Sequence, residues 1–213
     1  SRFACLVRWT RHPSEAVPQH GAQPFGTLLV TACVETGGDV RFLDLYGETS
    51  HYIWEGEDAL VAWTWQPSHG FGYYRFRDRA APTAKFLFGD ANGHITKLGE
   101  TGGWSPRPLA ATTSPWYLTD TYPDLRSGTR QHVHLVHSET GKTVPLAHIH
   151  LPPSYQGEHR IDCHPRSDQS GRKVVIDAPA LPSSVGSTAA TAANVGGAPG
   201  RSGRQVWVIE YEE

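Results

Sequence analysis

Methionine is absent from this chain of 213 residues, cysteine occurs three times, and neither sign of charge dominates. Each scarcity excludes something. Nineteen Lys and Arg against 21 Asp and Glu leave a net charge of −2, which gives no electrostatic footprint for nucleic acid. No apolar run approaches the roughly 18 residues of a membrane span. Cys5, Cys33 and Cys163 allow at most one disulfide, and Cys5 and Cys33 can meet only if their strands are neighbours. This cysteine usage establishes no compartment. Ser1 leads straight into the apolar run Phe3 to Trp9 with no charged leader before it, so the chain reads as processed or partial.

Helix-compatible sequence is also scarce. The 22 Gly and 16 Pro make up about 18% of the chain. An interior Gly costs a helix roughly 1 kcal/mol and a Pro roughly 3, which excludes an ordinary helix bundle. Aromatic residues at 10% exclude a disordered chain.

What is present is a succession of short runs with a period of two residues. They are rich in β-branched and aromatic side chains and bounded by Gly, Asp and Asn. The runs are Arg2–Trp9, Thr27–Val34, Val40–Leu45, Ser50–Trp54, Ala59–Trp65, Gly72–Arg77, Lys85–Phe88, His94–Lys97, Trp116–Thr121, Gln131–His137, Thr143–Leu146, Arg160–His164, Lys173–Asp177 and Arg204–Tyr211. Grouped by fours they are quasi-repetitive, and His51, His94 and His164 stand where units open. The step from His51 to His94 suits a four-stranded propeller blade of roughly 40–50 residues. The expected fold is therefore an all-β propeller segment, with a β-sandwich as the other strand-rich possibility. The units are expected at residues 1–47, 48–90, 91–150 and 151–213. A Pro/Ser/Thr-rich connector covers 102–115. A stretch poor in charge and aromatics, 180–203, reads as a mobile insertion between strands of the last unit.

Several enzyme classes lack their signatures. There is no Gly-x-Ser-x-Gly elbow with βα alternation and no phosphate-binding Gly-x-x-x-x-Gly-Lys-Ser/Thr. Cys163 and His164 are neighbours on a presumed strand and would point to opposite faces, so they make no dyad.

The segments Thr49–Trp54, Asn92–His94, Trp116–Asp124 and Arg160–Arg166 resemble successive blade motifs of oligogalacturonate-lyase-like β-propellers. Leu151–Arg160 and Ser167–Asp177 are similar to further stretches of that family. Related propellers include ulvan lyases and non-enzymatic TolB-like proteins. The resemblance implies a lyase that cleaves pectic or ulvan-type uronate oligosaccharides by β-elimination. The alternative is a non-catalytic propeller fragment that binds a glycan or a protein partner. It also favours a secreted or periplasmic setting. The family ring has seven blades and this chain supplies about half, so another chain or further segment would complete it.

In such a propeller the first strand of each blade lines the channel, so His51, His94 and His164 would converge. They would hold one divalent ion, Mn or Zn, or supply base and acid; the other reading makes them water-bound lining residues. A lyase must neutralise the uronate carboxylate before a base takes the neighbouring proton. By period two, Arg160, Asp162, His164 and Arg166 would share one face of an opening strand. His51, His164, Arg166 and Tyr155 are the candidate catalytic residues. Arg160, Tyr122 and Glu158 are the candidate substrate-binding residues. Seven of the twelve histidines fall between His132 and His164. His132 and His134 share a face, as do His148 and His150 just beyond that strand. Such pairs either ligate a metal or decorate a solvated edge.

Overall fold

The computed structural model describes residues 1–10, 25–89, 91–99, 114–124, 129–152, 155, 157–179, 193–194 and 203–210. Among these the chain is all-β, without an α-helix and with one 3-10 turn at Gly157–His159. It divides into two compact units, Ser1–Gly89 and Asp90–Glu213.

The first unit holds two antiparallel sheets. One is β1 (Arg2–Thr10), β2 (Phe25–Cys33) and β3 (Arg41–Phe42), in that spatial order. The other is β4 (Tyr52–Glu55), β5 (Ala59–Gln66), β6 (Gly70–Arg77) and β7 (Ala84–Phe88), again in chain order. The alternation of apolar residues dictates which faces meet. Leu29, Leu43, Leu60, Ala62, Tyr74 and Phe76 form a buried cluster with Ala4, Leu6, Tyr52, Trp54 and Phe86 packed against it. Gly37, at φ +66°, turns the chain after β2, a conformation that favours glycine.

Two carboxylates are sealed into this unit. Asp44 is fully buried and accepts from the Tyr46 N–H at 3.1 Å, the Gln66 amide at 3.1 Å and the Thr64 hydroxyl at 2.8 Å. The Thr49 hydroxyl donates to it as well. Asp78 accepts from the Thr31 hydroxyl at 2.8 Å, from Arg41 at 3.3 Å and from Arg2.

The second unit holds the other two sheets. The third runs β8 (Ile95–Lys97), β9 (Trp116–Asp120), β10 (Arg130–His137) and β11 (Thr143–His150) in consecutive order. The fourth contains β12 (Arg166–Ser167), β13 (Lys173–Pro179), β14 (Ala193–Asn194) and β15 (Arg204–Glu210), ordered β12-β13-β15-β14. Their shared core is Leu118, Val133, Leu135, Cys163, Val174, Ile176, Ala178 and Ile209.

The structure differs from the sequence reading in four places. Residues 160–165 form no strand; β12 begins only at Arg166, and His164 has a φ of +41°. The period-two face proposed for Arg160, Asp162, His164 and Arg166 therefore does not exist. Pro165 removes a ladder donor and the left-handed His164 breaks the pleat. β11 continues to His150, so His148 and His150 lie within the strand. β1 and β2 are neighbours, but Cys33 lies opposite Arg2 and Cys5 opposite Val30. Three residues of offset is about 10 Å along a strand, beyond disulfide reach, and all three cysteines are free. Finally, Ala193 and Asn194 within the expected insertion pair with Val208 and Trp207, filling the fourth position of the last sheet. An otherwise open edge of β15 offers backbone groups that a nearby segment satisfies. Residues 180–192 and 195–202 of that insertion, and 102–113 of the connector, lie outside the described residues.

Candidate functional site

The site is built around the end of β9. Trp116 is half-buried and Tyr117 to Thr119 are buried on both faces, so the strand ends inside the protein at Asp120, a carboxylic acid only 2% exposed. Two segments close over it. Asn92–Gly93–His94 wraps the strand end: the Gly93 N–H donates to the Asp120 carbonyl at 3.0 Å, and the Tyr122 N–H donates to Asn92 Oδ1 at 2.9 Å. A side chain on Gly93 would overlap the Asp120 carboxylate and carbonyl, so the close approach requires glycine. From the other side, residues 161–165 are pinned to β13 by the Asp177 N–H donating to the Cys163 carbonyl at 2.8 Å. Cys163 is fully buried, and burial pushes its thiol far up, so it is no nucleophile here.

This closure gives Asp120 an unusual donor set. One carboxylate oxygen accepts the backbone N–H of His94, the other that of His164 at 3.0 Å. The left-handed backbone at His164 accompanies that contact. Burial dominates over these two donors and raises the Asp120 carboxyl to about 7. One acid thus positions two histidines from segments far apart in sequence.

The side chains then meet. The imidazoles of His94 and His164 lie 5.5 Å apart, ring centroid to ring centroid, at 90°. Arg166 donates to His94 Nε2 and to the Pro165 carbonyl at 3.1 Å. A guanidinium cannot accept, so Nε2 is the acceptor and His94 is a neutral ring. Burial lowers the Arg166 pKa, while Asp120 and Asp177 oppose that shift. Among the described residues no carboxylate lies within ion-pair distance of Arg166. The exposed His164 ring has its Nδ1 3.7 Å from Asp177 Oδ2. Arg160 forks onto Asp162 at 2.6 and 2.9 Å and lies 4.7 Å over the Tyr122 ring.

Of the sequence candidates, His94, His164 and Arg166 come together, and Arg160 joins Tyr122. Tyr155 is half-buried, with its N–H on the Pro152 carbonyl at 2.9 Å, and no contact joins it to the cluster among the described residues. Glu158 lies in the 3-10 turn, and its side chain falls outside the described residues. His51 belongs to the first unit, where its carbonyl accepts from the Trp63 N–H at 2.8 Å. The arrangement does not suit a Mn or Zn ion on His94, because the guanidinium of Arg166 already uses the Nε2 lone pair. Among the described residues no three His, Cys, Asp or Glu side chains are grouped to hold a metal. Sequence reasoning missed Asp120 and Asp177. The signal for Asp120 was a carboxylate ending an apolar strand immediately before a turn.

The chain matches no family model, and no curated protein matches it.

Proposed function

We propose that the second unit binds a uronate-bearing oligosaccharide and cleaves it by β-elimination, on a scaffold whose four sheets are consecutive blades of a β-propeller. The observation that carries the reading is Arg166: a half-buried guanidinium with no carboxylate partner among the described residues, set against two imidazoles. Such a cation is a receptor for an incoming carboxylate, and a bidentate pair fixes that group's plane. Consecutive antiparallel sheets in chain order support the blade assignment.

The division of labour follows from the contacts. His94 is occupied by Arg166 and serves to hold the guanidinium. His164 is exposed, with Nδ1 3.7 Å from Asp177 Oδ2, and its imidazole is the base. His164 takes the proton α to the uronate carboxylate. The electron pair forms the C4–C5 double bond, the C4–O bond breaks, and the departing sugar oxygen takes a proton from water. Arg166 stabilises the charge that develops on the carboxylate. Arg160 over Tyr122 offers a flat cationic surface for an adjoining sugar. No metal enters these steps.

The test is ultraviolet absorbance of unsaturated uronate product from pectate and ulvan oligomers. Product that accumulates with wild-type protein, with Arg166→Ala both raising KM and lowering kcat, supports the reading. Binding of the oligomers without product supports glycan binding alone. Neither product nor binding overturns the proposal.

A further inference from the structure

The third sheet carries a second histidine cluster, on the strands farthest from β8 and formed from none of the residues used above. Val133, Leu135, Ala147 and Ile149 of β10 and β11 belong to or pack against the core. Strand alternation puts His132 and His148 on the opposite face, directly across from each other in the antiparallel register. Their rings are 4.7 Å apart at 77°, and the two Nδ1 atoms face each other at 2.5 Å. His134 stacks on His132 with centroids 5.7 Å apart and planes at 23°, which orients His132 from behind.

We propose that His132 and His148 form a two-imidazole site for a borderline divalent transition ion: zinc, nickel or copper(II). Two nitrogens cannot face each other at this distance with a proton on each, so the pair converges at least one lone pair on a shared point. Ligand nitrogens about 2.0 Å from a tetrahedral ion sit roughly 3.3 Å apart. The pair must therefore open by less than about 1 Å, which the exposed His148 on edge strand β11 can do by rotating its ring. Imidazole selects zinc, nickel and copper(II) over calcium or magnesium, which take oxygen ligands. With no third ligating group gathered among the described residues, water completes the coordination, and the ion exchanges freely.

The experiment is calorimetric titration of the full chain with zinc, nickel, manganese and calcium chlorides near neutral pH. The expected result is one zinc or nickel ion per chain in this site, with manganese weaker and calcium silent. His132→Ala and His148→Ala should each weaken binding about tenfold or more. His134→Ala, which removes a stacked ring and no ligand, should change it about twofold. Circular dichroism checks folding, and His148→Gln repeats the ligand loss with a side chain of similar reach. Absence of zinc and nickel binding to wild type overturns the proposal. So does unchanged affinity in the His132→Ala/His148→Ala double variant, or a loss in His134→Ala as large as in His148→Ala.

Discussion

Asp44, two residues past β3 in the first unit, and Asp120, the last residue of β9 in the second, are both buried carboxyls, yet their surroundings differ in kind. Asp44 accepts from two hydroxyls, one amide and one backbone N–H, all from its own unit and all neutral. Asp120 accepts from two backbone N–H groups, and the residues carrying them are the two histidines that meet Arg166 and Asp177. The first acid is spent on holding loops in place. The second is under-supplied for its burial, titrates near neutrality and sets the position of ionisable side chains. Burial is common to both acids; the cluster of His and Arg around Asp120 is what makes its surroundings the candidate site.

That difference can be broken at each end. The largest expected effect is at His164. His164→Ala should lower kcat on uronate oligomers by roughly 10²–10⁴-fold, the contribution of a positioned base. Its side chain is 45% exposed, so thermal unfolding should move little. A variant that keeps full turnover would return the cluster to a structural role. Asp44→Ala is the converse. It strands four donors, three of them on side chains in a sealed site, and should cost about 3 kcal/mol of stability. Denaturant titration of the variant and wild type gives the number. A loss below about 1 kcal/mol would mean that water replaces the carboxylate and that Asp44 is no anchor.

Gly93→Ala tests the closure over Asp120 without touching charge. The added methyl would meet the Asp120 carboxylate and its backbone carbonyl, so either β9 or the His94 segment must shift. The expected cost is about 1–3 kcal/mol, as for other overpacked sites. A shift at His94 should also appear as a raised KM, because Arg166 rests on that ring. Gly37→Ala in the first unit acts only through its φ of +66°, with nothing within 4 Å of the new methyl. It should cost about 1 kcal/mol and leave KM alone.

The strands were legible because their signal is local. Ala59–Gln66 is a short, almost continuous run of apolar residues bounded by Gly56 and Gly70, both at positive φ, and Arg204–Glu210 begins as an exposed/half-buried alternation. His94, His164 and Arg166 were legible as residue types beside strand starts. Their meeting was not, because it depends on Asp120, which is joined to His164 across a separation of 44 residues. The error at Arg160–His164 has the same root. Alternating residues there imitate a strand, but the backbone N–H of His164 is taken by Asp120 and not by a neighbouring strand. A side-chain acceptor that displaces a ladder bond leaves no periodic trace. The His132–His148 pairing was equally hidden, since it rests on the register between two strands and not on either one.

The most specific effect is the pH dependence that Asp120 imposes. Its carboxyl is raised to about 7 in the folded protein, chiefly by burial, against an ordinary value of 3.8. The folded state therefore holds a proton that the unfolded chain has released across that window. The stabilisation is fully present below about pH 4 and is lost as pH rises through about 7, with a slope of up to about 1.4 kcal/mol per pH unit. Asp120→Asn removes the titration. Asn also turns an NH2 toward one of the two backbone N–H groups that now find a carboxyl oxygen, so its stability should be lower in acid. The gap from wild type should then narrow steadily between about pH 4 and 7. Unfolding midpoints measured across that range for both proteins check it. A gap that stays constant would show that Asp120 is charged throughout, as firmly held as a carboxylate can be, and that the contrast with Asp44 lies in its neighbours alone.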